Sequence, residues 1–160
     1  MRLFRRILAP TDFSASAGTA LRYALELAAQ GGAQLRVLHV IEDPRRPAGG
    51  GEPEFAKETA SLQAWFESKV PQESRGGVQA EFRVIHGYPA FAIPRHAMQE
   101  EFDLIVMGTH GRGDQPHASW GSVAEKVVGA AACPVLTIRQ GKQQDVARER
   151  LAGAGAGHTA

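Results

Sequence analysis

A pair of cysteines, long apolar runs and an excess of charge are all missing from this sequence of 160 residues. A single cysteine, Cys133, excludes a disulfide within one chain. No apolar run approaches the roughly 20 residues that a membrane-spanning helix needs. The short apolar run near the N-terminus is broken by Pro-Thr-Asp at residues 10–12, so it is not predicted to be a signal peptide. These absences predict a soluble cytoplasmic domain.

Charge is nearly balanced, because 18 lysine and arginine residues oppose 17 aspartate and glutamate residues and the formal net charge is +1. Such a balance provides no strong field for nucleic acid or for an anionic membrane, so neither is an expected partner. The histidines show no metal-ligand spacing with one another or with Cys133, so no protein-held metal site is predicted. Hydrophobic residues make up 43% of the chain, which is enough for the core of one domain.

Strand-like and helix-like segments alternate along the chain. Short apolar runs predict strands at residues 6–9, 35–41, 78–85, 102–107 and 134–139. Apolar residues at helical spacing predict helices at residues 17–28, 54–74, 90–101 and 121–132. Alternation of this kind is typical of a parallel sheet with helices on both faces. The sequence therefore predicts a single-domain α/β fold.

Local composition sets the limits of this domain and of its helices. Prolines and glycines at residues 43–54 predict an exposed linker. Residues 141–160 change in composition and end in an Ala- and Gly-rich stretch, which predicts a flexible C-terminal tail after a domain at residues 1–140. Ser14 or Ser16 is expected to cap the first helix. Pro94 is expected in the first turn of the third helix.

The stretch with the clearest functional pattern follows the fourth predicted strand. Gly108 and Gly111 are separated by two residues, and nine more residues lead to Gly121 and Ser122 at the start of a helix. Glycines let backbone N–H groups approach an anion closely, and a helix N-terminus adds unpaired N–H donors and the positive end of its dipole. The pattern predicts a phosphate-binding loop; the alternative is a glycine-rich loop that only turns the chain.

The spacing of these glycines differs from the two common phosphate-binding fingerprints. It is not G-x-G-x-x-G, and it lacks the Gly-Lys-Ser/Thr of a P-loop. It resembles instead the universal stress protein family, whose nucleotide-binding members carry G-x-x-G, nine residues and then G-S/T. The resemblance covers about residues 3 to 139 and includes Asp12-Phe13-Ser14 after the first strand and Cys133-Pro134-Val135-Leu136 at the fifth.

The resemblance implies a Rossmann-like open sheet of five parallel strands in the order 3-2-1-4-5, with helices on both faces. In such a sheet, ligands bind where the strand order reverses, here between strands one and four. The implied ligand is ATP or another adenine nucleotide, with Mg²⁺ or Mn²⁺ held through its phosphates. The implied binding residues follow strands one, two and four: Ala9, Pro10, Asp12, Val40, Met107, Gly108, His110, Gly111, Arg112, Gly121, Ser122 and Val123.

For several of these residues, a purely structural role is the alternative to ligand binding. The resemblance implies an adenosine contact for Asp12, whose carboxylate would otherwise cap a helix. It implies a main-chain contact with adenine at Val40, which would otherwise be an ordinary core valine. His110 and Arg112 can neutralise phosphate charge or belong to a solvated loop.

Three functions are compatible with this pattern. The first is an ATP-binding regulatory or stress-response module with at most slow hydrolysis, since the sequence offers no clear general base or water-positioning group near the loop. The second is a slow ATPase or self-phosphorylating enzyme. The third is a dimeric stress-response interaction protein that binds no nucleotide. The complete glycine motif argues against this third function. No catalytic residue is assigned.

The fifth strand predicts how two copies would associate. Val135, Leu136, Thr137 and Ile138 form an apolar, β-prone segment at one edge of the implied sheet. The unpaired N–H and C=O groups of an exposed edge can pair with another chain, and pairing of the same strand from two copies is compatible with two-fold symmetry. A homodimer through this strand is therefore predicted, as the resemblance also implies. The alternative is that residues 140–151 cover the edge.

Overall fold

A computed structural model describes residues 3–43, 54–110 and 121–139. The predicted linker, the middle of the glycine motif and the predicted C-terminal tail lie largely or wholly outside these residues. Strands and helices alternate as expected: β1 (Arg6–Thr11), α1 (Ala15–Gly31), β2 (Gln34–Ile41), α2 (Ala56–Lys69), β3 (Ala80–His86), α3 (Pro89–Gln99), β4 (Leu104–Gly108), α4 (Ser122–Ala130) and β5 (Val135–Ile138). A short 3₁₀-helix at Gln72–Ser74 follows α2.

The described strands form one parallel sheet with the order β3-β2-β1-β4-β5, which confirms the predicted topology. The chain moves outward from β1 through β2 to β3, returns to β4 on the other side of β1, and ends at β5. The connections that leave β1 and β4 therefore run in opposite directions. Because they diverge, a crevice opens beyond the carboxyl ends of these two strands, where ligands bind in open α/β sheets.

Helices cover both faces of the sheet, as predicted. On one face, α1 and α2 bury Leu21, Leu62 and Phe66 against the strands. On the other face, α3 and α4 bury Ile93 and Val127. Burial on both faces explains why β1 and β4 are continuous apolar runs rather than alternating ones. Among the described residues, no helix has the length and apolar character required to cross a bilayer.

The turn from β1 into α1 is held by two short side-chain contacts. Asp12 Oδ1 accepts a hydrogen bond from the Ser14 N–H at 3.0 Å, and Ser14 Oγ accepts one from the Ala17 N–H at 3.2 Å. Ser14 is thus the N-cap of α1, while Ser16 is buried inside the helix. Between Asp12 and Ser14, Phe13 has a φ of +65°, a left-handed conformation that non-glycine residues adopt only when their surroundings hold them there.

The structure corrects two element boundaries at prolines. β1 continues through Pro10 and Thr11, beyond the strand predicted at residues 6–9. Pro10 fits there because the β1–β4 pairing ends at Leu8, so its missing N–H breaks no bond to β4. Conversely, α2 ends at Lys69, because the residue before Pro71 is driven into an extended conformation.

Pro94 also lies deeper in α3 than expected. The helix begins at Pro89, whose fixed φ suits a first helical position, so Pro94 is its sixth residue rather than part of its first turn. Pro94 is buried. The packing of α3 on the sheet places its first residues over the carboxyl end of β2, where they matter for the site described below.

The far end of α3 is attached to the sheet through Arg36 of β2. Its guanidinium donates to Glu81 at 2.8 Å and to Glu100 at 3.1 Å, and its Nη1 lies 3.3 Å from His96 Nε2. Burial, and then the Arg36 charge, lower the pKa of His96 to about 4. His96 is consequently neutral at pH 7, and its Nε2 can accept from Arg36. These contacts fix the position of α3 relative to β2.

Candidate functional site

A crevice of about 270 Å³ lies beyond the carboxyl ends of β1 and β4, at the predicted switch point. Three strand ends and the starts of three helices form its walls, and the start of α1 contributes Ser14 and Ala17. From β1 and β2 they include Pro10, Thr11, Asp12, Leu38, Val40 and Glu42. From α3, β4 and α4 they include Pro89, Ile93, and residues 107–110 and 121–124.

Among the described residues, no side chain caps the helix N-terminus that lies at this crevice. α4 begins after Gly121, which has no side chain with which to cap it. As in any α-helix, the first-turn N–H groups of Ser122, Val123 and Ala124 have no acceptor within the helix, and the side chain of the N-cap residue supplies none here. All three residues line the crevice. Unpaired donors and the positive end of the helix dipole together form an environment that favours phosphate.

Backbone hydrogen bonds hold the two ends of the glycine motif together. The Gly121 N–H donates to the carbonyl of Thr109 at 2.6 Å, and the Thr109 N–H donates to the carbonyl of Ile138 at 3.0 Å. Thr109 Oγ1 also lies 2.9 Å from His110 Nδ1. Because the Gly121 N–H is already bonded, the described donors that α4 can offer to an anion are those of the residues that follow Gly121.

Gly108 is required by packing as well as by its place in the crevice. A Cβ added at Gly108 would overlap Ser16 Oγ and would lie 2.9 Å from the backbone carbonyl carbon of Ser16. Real Cβ atoms essentially never come that close to another heavy atom. α1 can therefore approach the end of β4 only because this residue has no side chain.

The crevice has an apolar end and a polar end. Leu38, Val40, Pro89 and Ile93 form the apolar end, at β2 and α3. The glycine motif and the start of α4 form the polar end. The walls that the structure describes contain no lysine or arginine, and they carry the carboxylates of Asp12 and Glu42.

The structure brings most of the predicted site residues to this crevice. They are Pro10, Asp12, Val40, Met107, Gly108, His110, Gly121, Ser122 and Val123. Ala9 is different, because it is 2% exposed and belongs to the core beneath α1 and α2. Gly111 and Arg112 lie outside the described residues.

Several crevice residues were not predicted. Leu38 and Glu42 flank the predicted Val40 at a spacing of two, so the alternation of a strand would have identified both. Thr109 lies inside the glycine motif itself. Pro89 and Ile93 had no sequence signal, since only the packing of α3 on the sheet brings them to the crevice.

Comparison with known proteins identifies the family of this chain. The family model described as "Universal stress protein family" matches residues 3–139. The chain belongs to the universal stress protein family. A universal stress protein of Thermus aquaticus is 37% identical over 140 residues, which cover 86% of this chain and all of the relative.

Solved structures from the universal stress protein family share the fold. One, from Methanocaldococcus jannaschii, superposes with a TM-score of 0.69 at 26% identity and covers 87% of this chain and 98% of its own. Another, from Archaeoglobus fulgidus in complex with dAMP, has a TM-score of 0.60 at 25% identity and covers 86% and 99%. The Rossmann-like fold of the family is thus the fold of this chain.

Proposed function

We propose that this universal stress protein is a cytoplasmic regulatory module that binds ATP, or another adenine nucleotide, in the crevice between β1 and β4. The purine would lie at the apolar end, near Val40, and the phosphates at the start of α4. Mg²⁺ or Mn²⁺ would accompany the phosphates rather than be held by a protein cluster.

The observation that carries this proposal is the N-terminus of α4, which no described side chain caps, at one end of a crevice whose other end is apolar. A nucleotide has the matching polarity, with a flat apolar ring at one end and anionic oxygens at the other. The motif G-x-x-G, nine residues, G-S supports the same ligand. The dAMP complex of the Archaeoglobus fulgidus relative supports an adenine base.

The direct test is the mass spectrum of ligand released from denatured, freshly purified protein, combined with calorimetric titration of ligand-free protein by ATP, ADP and AMP with Mg²⁺. An adenine nucleotide in the spectrum, or saturable binding of one of the three, is the expected result. Phosphate release measured in the same samples should stay near background. If no adenine nucleotide copurifies and none binds at millimolar concentration, the protein acts without nucleotide and the proposal is wrong.

Asp12 and Ser122 are expected to contact different parts of the nucleotide. Asp12→Asn retains an acceptor for the Ser14 N–H but replaces the second carboxylate oxygen, so it should weaken ATP and adenosine by similar factors. Ser122→Ala removes only a hydroxyl near the phosphates, so it should weaken ATP and leave adenosine unchanged. Each lost hydrogen bond to a charged group corresponds to about 1.5–3 kcal/mol. Calorimetry with both ligands checks the assignment. If Ser122→Ala lowered the affinities for ATP and adenosine equally, the assignment would be wrong.

We also propose that two copies associate through β5, the strand at one edge of the sheet. The carbonyls of Pro134 and Ile138 accept hydrogen bonds from the N–H groups of Ile105 in β4 and of Thr109 directly after β4. Because successive residues of a strand direct their N–H and C=O groups to opposite sides, Thr137 directs its own groups to the outer edge. Leu136 is 37% exposed there, so pairing would also cover apolar surface.

Thr137→Pro is expected to shift the protein from dimer toward monomer. The substitution removes an N–H on the outer edge and leaves the bonds between β4 and β5 in place, so the fold should persist. Thr137→Val keeps the N–H and is the matched control, which should remain dimeric. Light scattering across a concentration series measures the change. A parent protein that stays monomeric at high micromolar concentration would exclude this interface.

A further inference from the structure

Glu42 continues the crevice wall formed by β2. Leu38, Val40 and Glu42 all line the crevice, at the spacing of two that places side chains on one face of an extended chain. The first two are fully or largely buried, with 0% and 8% exposure, while Glu42 lies beyond them and is exposed. A carboxylate thus stands at the outer limit of the apolar end.

No described cation compensates this carboxylate. Glu42 forms no salt bridge with any residue that the structure describes. The other acidic side chain of the described walls is Asp12, which lies at the end of β1 and bonds the Ser14 N–H. Because β1 stands between β2 and β4 in the sheet, Asp12 is nearer the middle of the crevice. Glu42 is therefore the acidic group at the end where a base would lie.

We propose that Glu42 selects the base of the nucleotide by accepting a hydrogen bond from the exocyclic amino group of adenine. The inference rests on the proposed function, since it requires a nucleotide whose phosphates occupy the start of α4. With the phosphates there, the ring lies between Val40 and Ile93 and its outer edge faces Glu42. A carboxylate is purely an acceptor, so it favours a ring that presents an N–H donor and repels one that presents a carbonyl oxygen.

The test compares ATP with purine riboside triphosphate, which differs only in lacking the exocyclic amino group. Calorimetry on the parent protein should show ATP binding about tenfold more tightly, because a hydrogen bond to a charged acceptor is lost with the amino group. Glu42→Leu removes the acceptor at similar size and should bring the ratio of the two affinities close to one. Glu42→Gln retains one acceptor oxygen and should give an intermediate ratio.

Asp43→Asn is the matched control, since it removes the neighbouring carboxylate, which lies outside the crevice walls. It should leave the ratio at its parent value. If ATP and its analogue bind equally well to the parent, or if Glu42→Leu retains the parent ratio, the role assigned to Glu42 is wrong while nucleotide binding stands. If neither ligand binds the parent, the proposed function itself is wrong.

Discussion

Gly121→Val is expected to abolish ATP binding while leaving the protein folded. Gly121 precedes α4 with φ −72° and ψ 148°, an extended conformation that any residue adopts, so valine causes no backbone strain. Its N–H can still donate to Thr109. A branched side chain would instead occupy space beside the N–H groups of Ser122 and Val123, where the phosphates are proposed to bind. We expect a loss of at least about 100-fold in affinity, or roughly 2.7 kcal/mol.

Calorimetric titration with ATP measures this loss, and thermal denaturation verifies that the fold is retained. Gly121→Ala adds a smaller side chain at the same place and should give an intermediate loss. Gly129→Ala is the control in the same helix, because a Cβ there meets nothing within 4 Å, and it should bind ATP like the parent. Unchanged affinity in Gly121→Val would mean that the ligand does not bind at the start of α4.

Gly108→Ala is expected to destabilise the fold by about 2–3 kcal/mol, at the upper end of the usual cost of overpacking. The added Cβ would be pressed against both the side chain and the backbone of Ser16. A side chain can rotate away, but the backbone of α1 can yield only if the helix shifts from the end of β4. Urea denaturation of parent and variant, analysed as a two-state transition, gives the difference in unfolding free energy.

Two further variants separate this clash from a general effect of replacing glycine. Gly129→Ala should stabilise the protein by about 0.5–1 kcal/mol, because alanine is the better helix former at an unobstructed position. Ser16→Ala removes a buried hydroxyl that has no hydrogen-bond partner in the described residues. Combined with Gly108→Ala, it should recover part of the lost stability, since the backbone contact remains. A Gly108→Ala protein as stable as the parent would refute the packing explanation.

The sequence alone determined the elements, the order in which they occur and the motif that marks the site. Buried parallel strands are continuous apolar runs because both of their faces are covered, and such runs were visible at β1 and β4. Resemblance to the family then supplied the strand order, and the switch-point rule placed Asp12 in the same crevice as Gly108 and Gly121. These features depend on local spacing and on a recurring topology, so they can be predicted from a single sequence.

Only the tertiary structure decided which side chains reach the crevice from elements distant in sequence. Pro89 and Ile93 line it because α3 packs across the end of β2, and nothing in their own sequence indicates that contact. Ala9 lies two residues before the end of β1. Its side chain is on the face of the sheet that α1 and α2 cover, and it packs beneath α1 rather than in the crevice. The residue that leaves no room for a side chain at Gly108 is Ser16, which lies 92 positions earlier in the chain. Such contacts join residues far apart in sequence, and local composition and periodicity carry no information about which distant surfaces will meet.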